Sequence, residues 1–197
     1  MRQTSILILI LLIVFVSCCV EGEKMPSLSG KKVLFIIAPD NFRDEELAEP
    51  KAVLEKAGAE ITIASSTGQP AKGMFGTIVT PDKNFYDVNA EDYNAIVFIG
   101  GSGASVYFNN SQALRLAKEF YNSGKIVCAI CIAPSILANA GILADKKATA
   151  WPSERNNINA VGIYTGSAVE QDGNIITAKG PEVAKQFGQA IAKALGG

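Results

Sequence analysis

Short, uninterrupted apolar runs alternate with helical stretches along this chain, and this alternation restricts the possible folds most strongly. The runs at 33–37, 95–99 and 126–130 contain no charged, amide or hydroxyl side chain. Such continuous apolar runs are typical of strands that are buried on both faces, as in parallel sheets. The chain is therefore predicted to form a doubly wound α/β sandwich, in which a mostly parallel sheet lies between helices.

The stretches between these runs carry helix and turn signals. Gly58 and Gly124 each follow an amphipathic stretch, as glycines at helix C-termini do. Asp172-Gly173 separates two short apolar segments, which is the signature of a β-hairpin. Helices are predicted at 44–57, 111–123, 133–140 and 181–195, and further strand segments at 61–64, around 77–80, at 168–169 and at 175–176.

Length and composition indicate one domain after a leader. The 197 residues are 48% hydrophobic and 19% charged, which is enough for a single hydrophobic core. We place the domain at 31–197, a signal peptide at 1–19 and a short polar tether at 20–30. The net charge is −1 and the lysines and arginines are scattered. Nucleic acid is therefore not an expected partner, because binding a polyanion needs a basic surface.

The leader has the order of a secretory signal: a basic residue, an apolar run at 6–16 and a small residue. The run is too short to span a bilayer comfortably. Cys18 and Cys19 follow it, so one of them is the lipidation site if the signal is of the lipoprotein type. A simple cleaved signal and an uncleaved anchor are the alternatives. The protein is expected to be exported, and either membrane-attached on the outer side or free in the periplasm or extracellular space.

Cys131 directly follows the apolar run at 126–130 and precedes a predicted helix. The peptide N–H groups at the start of a helix carry partial positive charge, which favours a thiolate. A thiolate at a strand-to-helix corner can serve as a nucleophile. Because the chain contains no histidine, any mechanism must move protons without an imidazole.

Cys128 and Cys131 have the Cys-x-x-Cys spacing of thioredoxin-like redox sites. We do not favour that interpretation, because Cys128 lies within the predicted strand and its side chain is expected in the core. A structural zinc site is not expected either, since the domain offers no histidine and no second cysteine pair. The sequence predicts no metal and no cofactor.

Three loops are expected to meet at the carboxyl edge of the sheet, where ligands bind in doubly wound folds. The first is the acidic stretch 39–50, whose charges also suit the start of a helix. The second is 100–103, Gly-Gly-Ser-Gly, which either brings backbone N–H groups close to an anion or forms only a tight turn. The third is the corner at Cys131.

Four segments in these loops occur in a familiar order. They are Phe42-x-Asp-x-Glu-Leu-x-x-Pro50, Phe-Ile-Gly-Gly101, Ala-Ile-Cys-x-x-Pro134 and Thr-Ala-Lys-Gly-Pro181. From Lys31 to Leu195 the chain resembles the DJ-1/ThiJ/PfpI family, which is related to class I glutamine amidotransferases. The resemblance implies a flavodoxin-like, class I glutamine amidotransferase-like sandwich with a nucleophile elbow, and it also implies a homodimer.

The resemblance also implies roles for single residues. Cys131 is the nucleophile, and Glu46 lies beside it. The backbone N–H groups of Gly101 and Ile132 are the oxyanion donors, and Gly100 and Trp151 are expected in the pocket. Peptidase-type relatives often carry histidine at the position of Ile132. Peptidase activity is therefore not expected here, because acyl transfer needs a group that shuttles a proton to the leaving group.

Cys131 and Glu46 are expected to share one proton over a wide pH range, because two adjacent negative charges repel each other. We expect that proton on Glu46. Such a pair can add a thiol to an aldehyde and move a proton without an amine leaving group. The sequence therefore favours an enzyme of glyoxalase or deglycase type that acts on small reactive carbonyl compounds. A redox-responsive protein with an oxidisable Cys131 and a non-catalytic binding protein are the alternatives.

Overall fold

The computed structural model describes residues 25–197. The predictions of a signal peptide at 1–19, of lipidation at Cys18 or Cys19 and of the first part of the tether lie outside the described residues. Between residues 25 and 197, no helix has the length and apolar character needed to cross a membrane.

A seven-stranded, mostly parallel sheet forms the centre of the domain. The strands of the described chain are β1 Lys32–Ile36, β2 Asp40–Phe42, β3 Glu60–Ser65, β4 Ala71–Gly73, β5 Ile78–Val79, β6 Lys83–Asn84, β7 Ala95–Phe98, β8 Ile126–Ile130, β9 Lys147–Ala148, β10 Ile163–Tyr164, β11 Val169–Asp172 and β12 Ile175–Ala178. Their order in the large sheet is β11-β12-β8-β7-β1-β3-β6. Only β11 runs antiparallel to its neighbour in this sheet, through the hairpin that Asp172-Gly173 predicted.

Helices cover both faces of the sheet. The α-helices are α1 Asp44–Lys56, α2 Ser111–Asn122, α3 Pro134–Asn139, α4 Arg155–Asn159 and α5 Ala184–Gly196, and 3-10 helices span Phe85–Asp87, Ala90–Asp92, Ser102–Tyr107, Pro152–Glu154 and Pro181–Val183. Successive side chains of a strand point to opposite faces. Accordingly, Phe35 packs in the core with α1 and α5, while Leu34 packs in the core with α2 and α3. The doubly wound α/β sandwich predicted from the sequence is confirmed.

The strand order reverses at β1, and this reversal positions the site. β3 lies on one side of β1 and β7 on the other, so the loops after β1 and β7 leave the sheet in opposite directions and open a crevice between them. The loop after β8, which begins at Cys131, lies next to that crevice.

Two regions differ from the sequence-based expectation. Residues 25–30 were expected to belong to a tether outside the core, yet Leu28 is fully buried in the core and its N–H donates to Ala57 O at 2.7 Å. The acidic loop after β1 contains β2, which pairs with β4 to build a small sheet with β5. This three-residue strand has no continuous apolar pattern, so sequence reasoning missed it.

Candidate active site

The backbone at Cys131 forms a sharp corner between β8 and α3. Cys131 has φ 63°, a left-handed conformation that is uncommon for residues other than glycine and that clusters at functional sites. Its N–H donates to Ala178 O at 2.9 Å, and its carbonyl oxygen accepts from the Trp151 N–H at 2.8 Å. These two hydrogen bonds hold the corner in place and direct the Cys131 side chain to the end of the sheet.

Glu46 lies in the first turn of α1 and is fully buried. Its Oε2 accepts a hydrogen bond from the Gly100 N–H at 3.0 Å. Its Oε1 is buried without a well-oriented hydrogen-bond partner among the described residues, and the Cys131 thiol is the neighbouring group that can donate to the carboxyl. The structure therefore brings together the two residues that the sequence analysis assigned to catalysis.

Two glycines allow this close approach. A Cβ added to Gly100 would lie 2.6 Å from Glu46 Oε2 and 2.7 Å from Cys131 Cβ. A Cβ added to Gly101, which has φ 84°, would lie 2.4 Å from the Arg43 N atom. Contacts this short exclude any side chain, so both positions require glycine. Gly100 thus lies between Glu46 and Cys131 and not on the cavity wall where it was expected, because its backbone binds Glu46 and the Arg43 N–H.

The backbone N–H groups of Gly101 and Ile132 both lower the pKa of the Cys131 thiol, so they lie close to its sulfur. These are the two donors that the sequence analysis named as an oxyanion hole. Donors that are already in position stabilise negative charge as it develops, because no reorganisation is needed during the reaction. The arrangement can therefore stabilise a thiolate, or an oxyanion formed on a bound substrate.

A cavity of about 490 Å³ opens above Cys131. Its apolar wall is formed by Met74, Phe108, Ile132, Trp151 and Pro181. Its charged residues are Arg43, Glu46 and Glu154. Trp151 thus lies in the cavity, where it was expected. A cavity of this size and composition suits a small molecule that is partly apolar.

The comparison with known proteins identifies the family. The family model of the DJ-1/PfpI family matches residues 31–194. The chain belongs to the DJ-1/PfpI family. An uncharacterised protein of Methanocaldococcus jannaschii is 43% identical over 99% of this chain and 98% of the relative. A deglycase of Pyrococcus horikoshii is 34% identical over 76% of this chain and 90% of the relative.

Solved structures agree with this assignment. The crystal structure of a ThiJ/PfpI domain protein from Brachyspira murdochii matches with a TM-score of 0.82 at 32% identity, over 84% of this chain and 98% of that chain. The seven-stranded sheet and the corner at Cys131 are thus set in a DJ-1/PfpI fold.

The acidic residues of the first turn of α1 differ in what they bind. Asp44 and Glu45 lie in the first turn, where their charges suit the start of a helix as expected. Asp44 also accepts hydrogen bonds from the N–H groups of Phe75 and Thr77, at 2.9 and 3.1 Å. Glu45 Oε2 lies 2.9 Å from Arg43 Nε. Of these three carboxylates, Glu46 is the one that contacts Cys131. The first turn of α1 therefore contributes to the DJ-1/PfpI site as well as beginning the helix.

The environment raises both pKa values in the Cys131–Glu46 pair. Burial raises the pKa of Glu46 from 4.5 to about 7, although hydrogen bonds from the Cys131 thiol and the Gly100 N–H oppose this change. Burial, followed by the charge of Glu46, raises the pKa of the Cys131 thiol from 9.0 to about 12. Between these two pKa values the pair holds one proton, as expected from the sequence.

The electrostatics of the pair oppose the sequence-based expectation that this proton lies on Glu46. Burial and the charge of Glu46 both raise the pKa of the Cys131 thiol, and the hydrogen bond of that thiol lowers the pKa of Glu46, so these effects favour a thiol beside a carboxylate. The helix dipole was expected to favour the thiolate, but α3 has only six residues and the sulfur is buried. Loss of hydration and repulsion from Glu46 outweigh the nearby N–H groups.

A pH-dependent contribution to stability follows from Glu46. In the unfolded chain its carboxyl loses its proton near pH 4.5, whereas in the folded protein it keeps the proton until about pH 7. As the pH rises between these values, deprotonation favours the unfolded state. The free energy of unfolding of the parent, relative to Glu46→Gln, is therefore expected to fall by about 3 kcal/mol from pH 4.5 to 7.5. Urea denaturation of both proteins at several pH values measures this difference, and parallel curves would contradict it.

Sequence reasoning missed Glu154, which lines the cavity together with Trp151. Both belong to the turn that the 3-10 helix Pro152–Glu154 forms. Side chains three residues apart lie on one side of a 3-10 turn. The spacing Trp-x-x-Glu around a proline could therefore have predicted that the two residues face the same cavity.

Proposed function

We propose that this DJ-1/PfpI protein is a cysteine-dependent enzyme that acts on small reactive carbonyl compounds, as glyoxalases and deglycases do. The observation that carries the proposal is the contact between the Cys131 thiol and the Glu46 carboxyl beneath an open cavity. Several relatives, including those from Pyrococcus horikoshii and Pyrococcus furiosus, are named deglycases. That name describes those proteins, and it agrees with the chemistry that we propose here.

The first proposed step joins the thiol to an aldehyde. Glu46 accepts the thiol proton while the sulfur of Cys131 attacks the aldehyde carbon of an α-oxoaldehyde such as methylglyoxal. The carbonyl oxygen takes up a proton from Glu46, and a hemithioacetal forms. In this step the N–H groups of Gly101 and Ile132, which lower the pKa of the thiol, stabilise the oxygen as its charge develops.

The second proposed step is a proton shift. Glu46, again a carboxylate, removes the proton from the carbon that bears the sulfur, and this gives an enediolate. Glu46 returns that proton to the neighbouring carbon, the hydroxyl proton of the sulfur-bearing carbon passes to the neighbouring oxygen, and a thioester of the 2-hydroxy acid results. Water then hydrolyses the thioester and releases lactate and the free Cys131 thiol. The sum is one methylglyoxal and one water converted to one lactate, so no oxidant is consumed.

The absence of histidine from the sequence fits this route better than peptide hydrolysis. Protonation of a leaving amine, which peptidases need, is not required when the substrate is an aldehyde. A single carboxyl that passes one proton back and forth is sufficient. Glu46, with a pKa of about 7, is close to the ideal value for a group that both accepts and donates protons at neutral pH.

The test is a turnover assay with the full-length chain and methylglyoxal in a buffer without added cofactor or metal. Lactate is measured against a blank without protein, and mass spectrometry of the Cys131 peptide confirms that the thiol is reduced. We expect lactate to form catalytically, with many product molecules per protein. If a reduced protein forms no lactate, the proposed enzyme is wrong and the alternatives of a redox-responsive or a binding protein gain support.

A further inference from the structure

Trp151 and Glu154 form one wall of the cavity above Cys131. Trp151 keeps 41% of its surface exposed, which leaves indole area open to a ligand. The Glu154 N–H donates to Trp151 O at 2.9 Å, so the two residues are fixed relative to each other by one backbone turn. An aromatic surface and a carboxylate therefore lie side by side at the site.

The Glu154 carboxylate is held in place from two sides. Its Oε2 accepts a hydrogen bond from Ser135 Oγ at 2.6 Å, and its Oε1 accepts one from Ser153 Oγ at 2.6 Å. Ser135 is fully buried and lies in α3, four residues after Cys131. These bonds link the acidic group to the helix that follows the nucleophile, so its position is fixed before any ligand arrives.

A second carboxylate lies close to the indole. A Cβ added to Gly180 would lie 2.9 Å from Trp151 Cε3 and 2.9 Å from Glu182 Oε2. The indole therefore packs against the bare backbone of Gly180, and Glu182 approaches the same point. Trp151 thus has one carboxylate on its own turn and another beside the glycine on which it rests.

The positive charge of the cavity is largely neutralised. Arg43 is the basic residue that lines it. Its Nε lies 2.9 Å from Glu45 Oε2, and its guanidinium carbon lies 4.5 Å from the centre of the Phe75 ring. Arg43 is paired with Glu45. The remaining charged residues of the cavity, Glu46 and Glu154, give it an excess of negative charge.

We infer that Trp151 and Glu154 form a cation-selecting wall, and that the ligands of this site carry a positive charge beside the group that reacts with Cys131. Aromatic faces bind ammonium and guanidinium groups, and an adjacent carboxylate strengthens this binding. An α-oxoaldehyde, or its adduct, attached to such a group has the required chemistry. The carbonyl part of this inference rests on the proposed function, whereas the preference for positive charge does not.

The charge preference can be measured without turnover. Methanethiosulfonate reagents convert a thiol to a mixed disulfide and release methanesulfinic acid, so the thiol hydrogen leaves with the sulfinate. Reagents with a trimethylammonioethyl, a methyl and a sulfonatoethyl group differ in charge. Their rates at Cys131 of the full-length chain are followed by mass spectrometry of its peptide, and each rate is divided by that for a small free thiol. We expect the cationic reagent to react at least about tenfold faster than the anionic one.

Three variants show where the preference comes from. Glu154→Gln keeps the shape of the wall and removes its charge, and Trp151→Leu removes the aromatic face. Each is expected to lower the ratio of cationic to anionic rates by about threefold or more. Glu49→Gln removes a charge from the exposed face of α1 and is the matched control, which is expected to leave the ratio unchanged. A ratio near one in the parent, or equal effects of Glu154→Gln and Glu49→Gln, would overturn the inference. So would a Cys131 that none of the reagents modifies.

A substrate series separates this inference from the proposed function. Phenylglyoxal, its 4-carboxy derivative and its 4-trimethylammonio derivative share one reaction and differ in charge. We expect kcat/KM to be highest for the cationic compound and lowest for the anionic one, and Glu154→Gln to reduce this difference. If neither methylglyoxal nor any of the three compounds is turned over while the reagent ratio favours the cation, the proposed function is refuted and the cation-selecting wall is supported. If all three are turned over equally and the reagent ratio is near one, the cation-selecting wall is refuted and the proposed enzymatic function is supported.

Discussion

Replacing Cys131 with serine is expected to abolish the formation of lactate from methylglyoxal, with a loss of about a thousandfold or more in kcat/KM. The serine hydroxyl is a much weaker nucleophile than the thiol, and a carboxyl with a pKa of about 7 is too weak a base to activate it. The thioester intermediate also cannot form on oxygen. The measurement is the lactate assay on the parent and on Cys131→Ser, with the fold of each checked by circular dichroism.

Cys128 provides the matched control for this prediction. It is fully buried in β8, and burial raises its pKa well above the ordinary value for a thiol. Cys128→Ala removes a sulfur three residues from Cys131 without touching the cavity, so a folded variant is expected to keep its turnover within a few-fold of the parent. Activity that survives in Cys131→Ser, or that is lost equally in a folded Cys128→Ala, would refute the role of Cys131.

The fold could be predicted from the sequence because its strongest signals are local. The continuous apolar runs at 95–99 and 126–130 became β7 and β8, and Asp172-Gly173 became the β-hairpin turn. The short strands of the small sheet could not be predicted in this way. β2 and β4 have three residues each, and their pairing depends on contacts between segments that are about thirty residues apart.

The position of the site could be predicted from the sequence, but the partner of Cys131 could not be predicted from residue patterns. A cysteine at the end of a buried strand indicated the corner, while the partnership with Glu46 came from the family resemblance and not from any pattern in the residues. Glu46 could not be paired with Cys131 by spacing alone, because 85 positions separate them along the chain. Their contact depends on Gly100, whose missing side chain leaves room for both groups.

The sequence-based expectation of a thiolate left out the burial of the sulfur. Sequence reasoning saw the helix that begins after Cys131 and expected it to favour a thiolate. It expected the adjacent carboxylate to repel a second negative charge, but it could not see how deeply the sulfur is buried. In the structure these two effects raise the pKa of the thiol to about 12. The base that removes the thiol proton during the reaction is therefore as important as the nucleophile itself.

Replacing Glu46 with glutamine is expected to have opposite effects on turnover and on thiol reactivity. Turnover of methylglyoxal should fall at least about tenfold, because the amide can neither accept the thiol proton nor carry out the proton shift. The rate of Cys131 alkylation by iodoacetamide at pH 8 should instead rise at least about threefold, since removing the charge of Glu46 lowers the pKa of the thiol and increases the fraction of thiolate. Both rates are measured on the same preparation.

This opposition distinguishes a catalytic carboxyl from a structural one. If Glu46 only supported the fold, Glu46→Gln would loosen the corner, and turnover would fall while the alkylation of Cys128 and Cys131 rose together. Selective alkylation of Cys131, with Cys128 still protected, requires an intact core and a changed charge beside one sulfur. Glu49→Gln, three residues further along α1, is the control and should leave both rates unchanged. Parent-like turnover in Glu46→Gln would contradict the mechanism, and a lower alkylation rate would show that the carboxylate does not raise the pKa of Cys131.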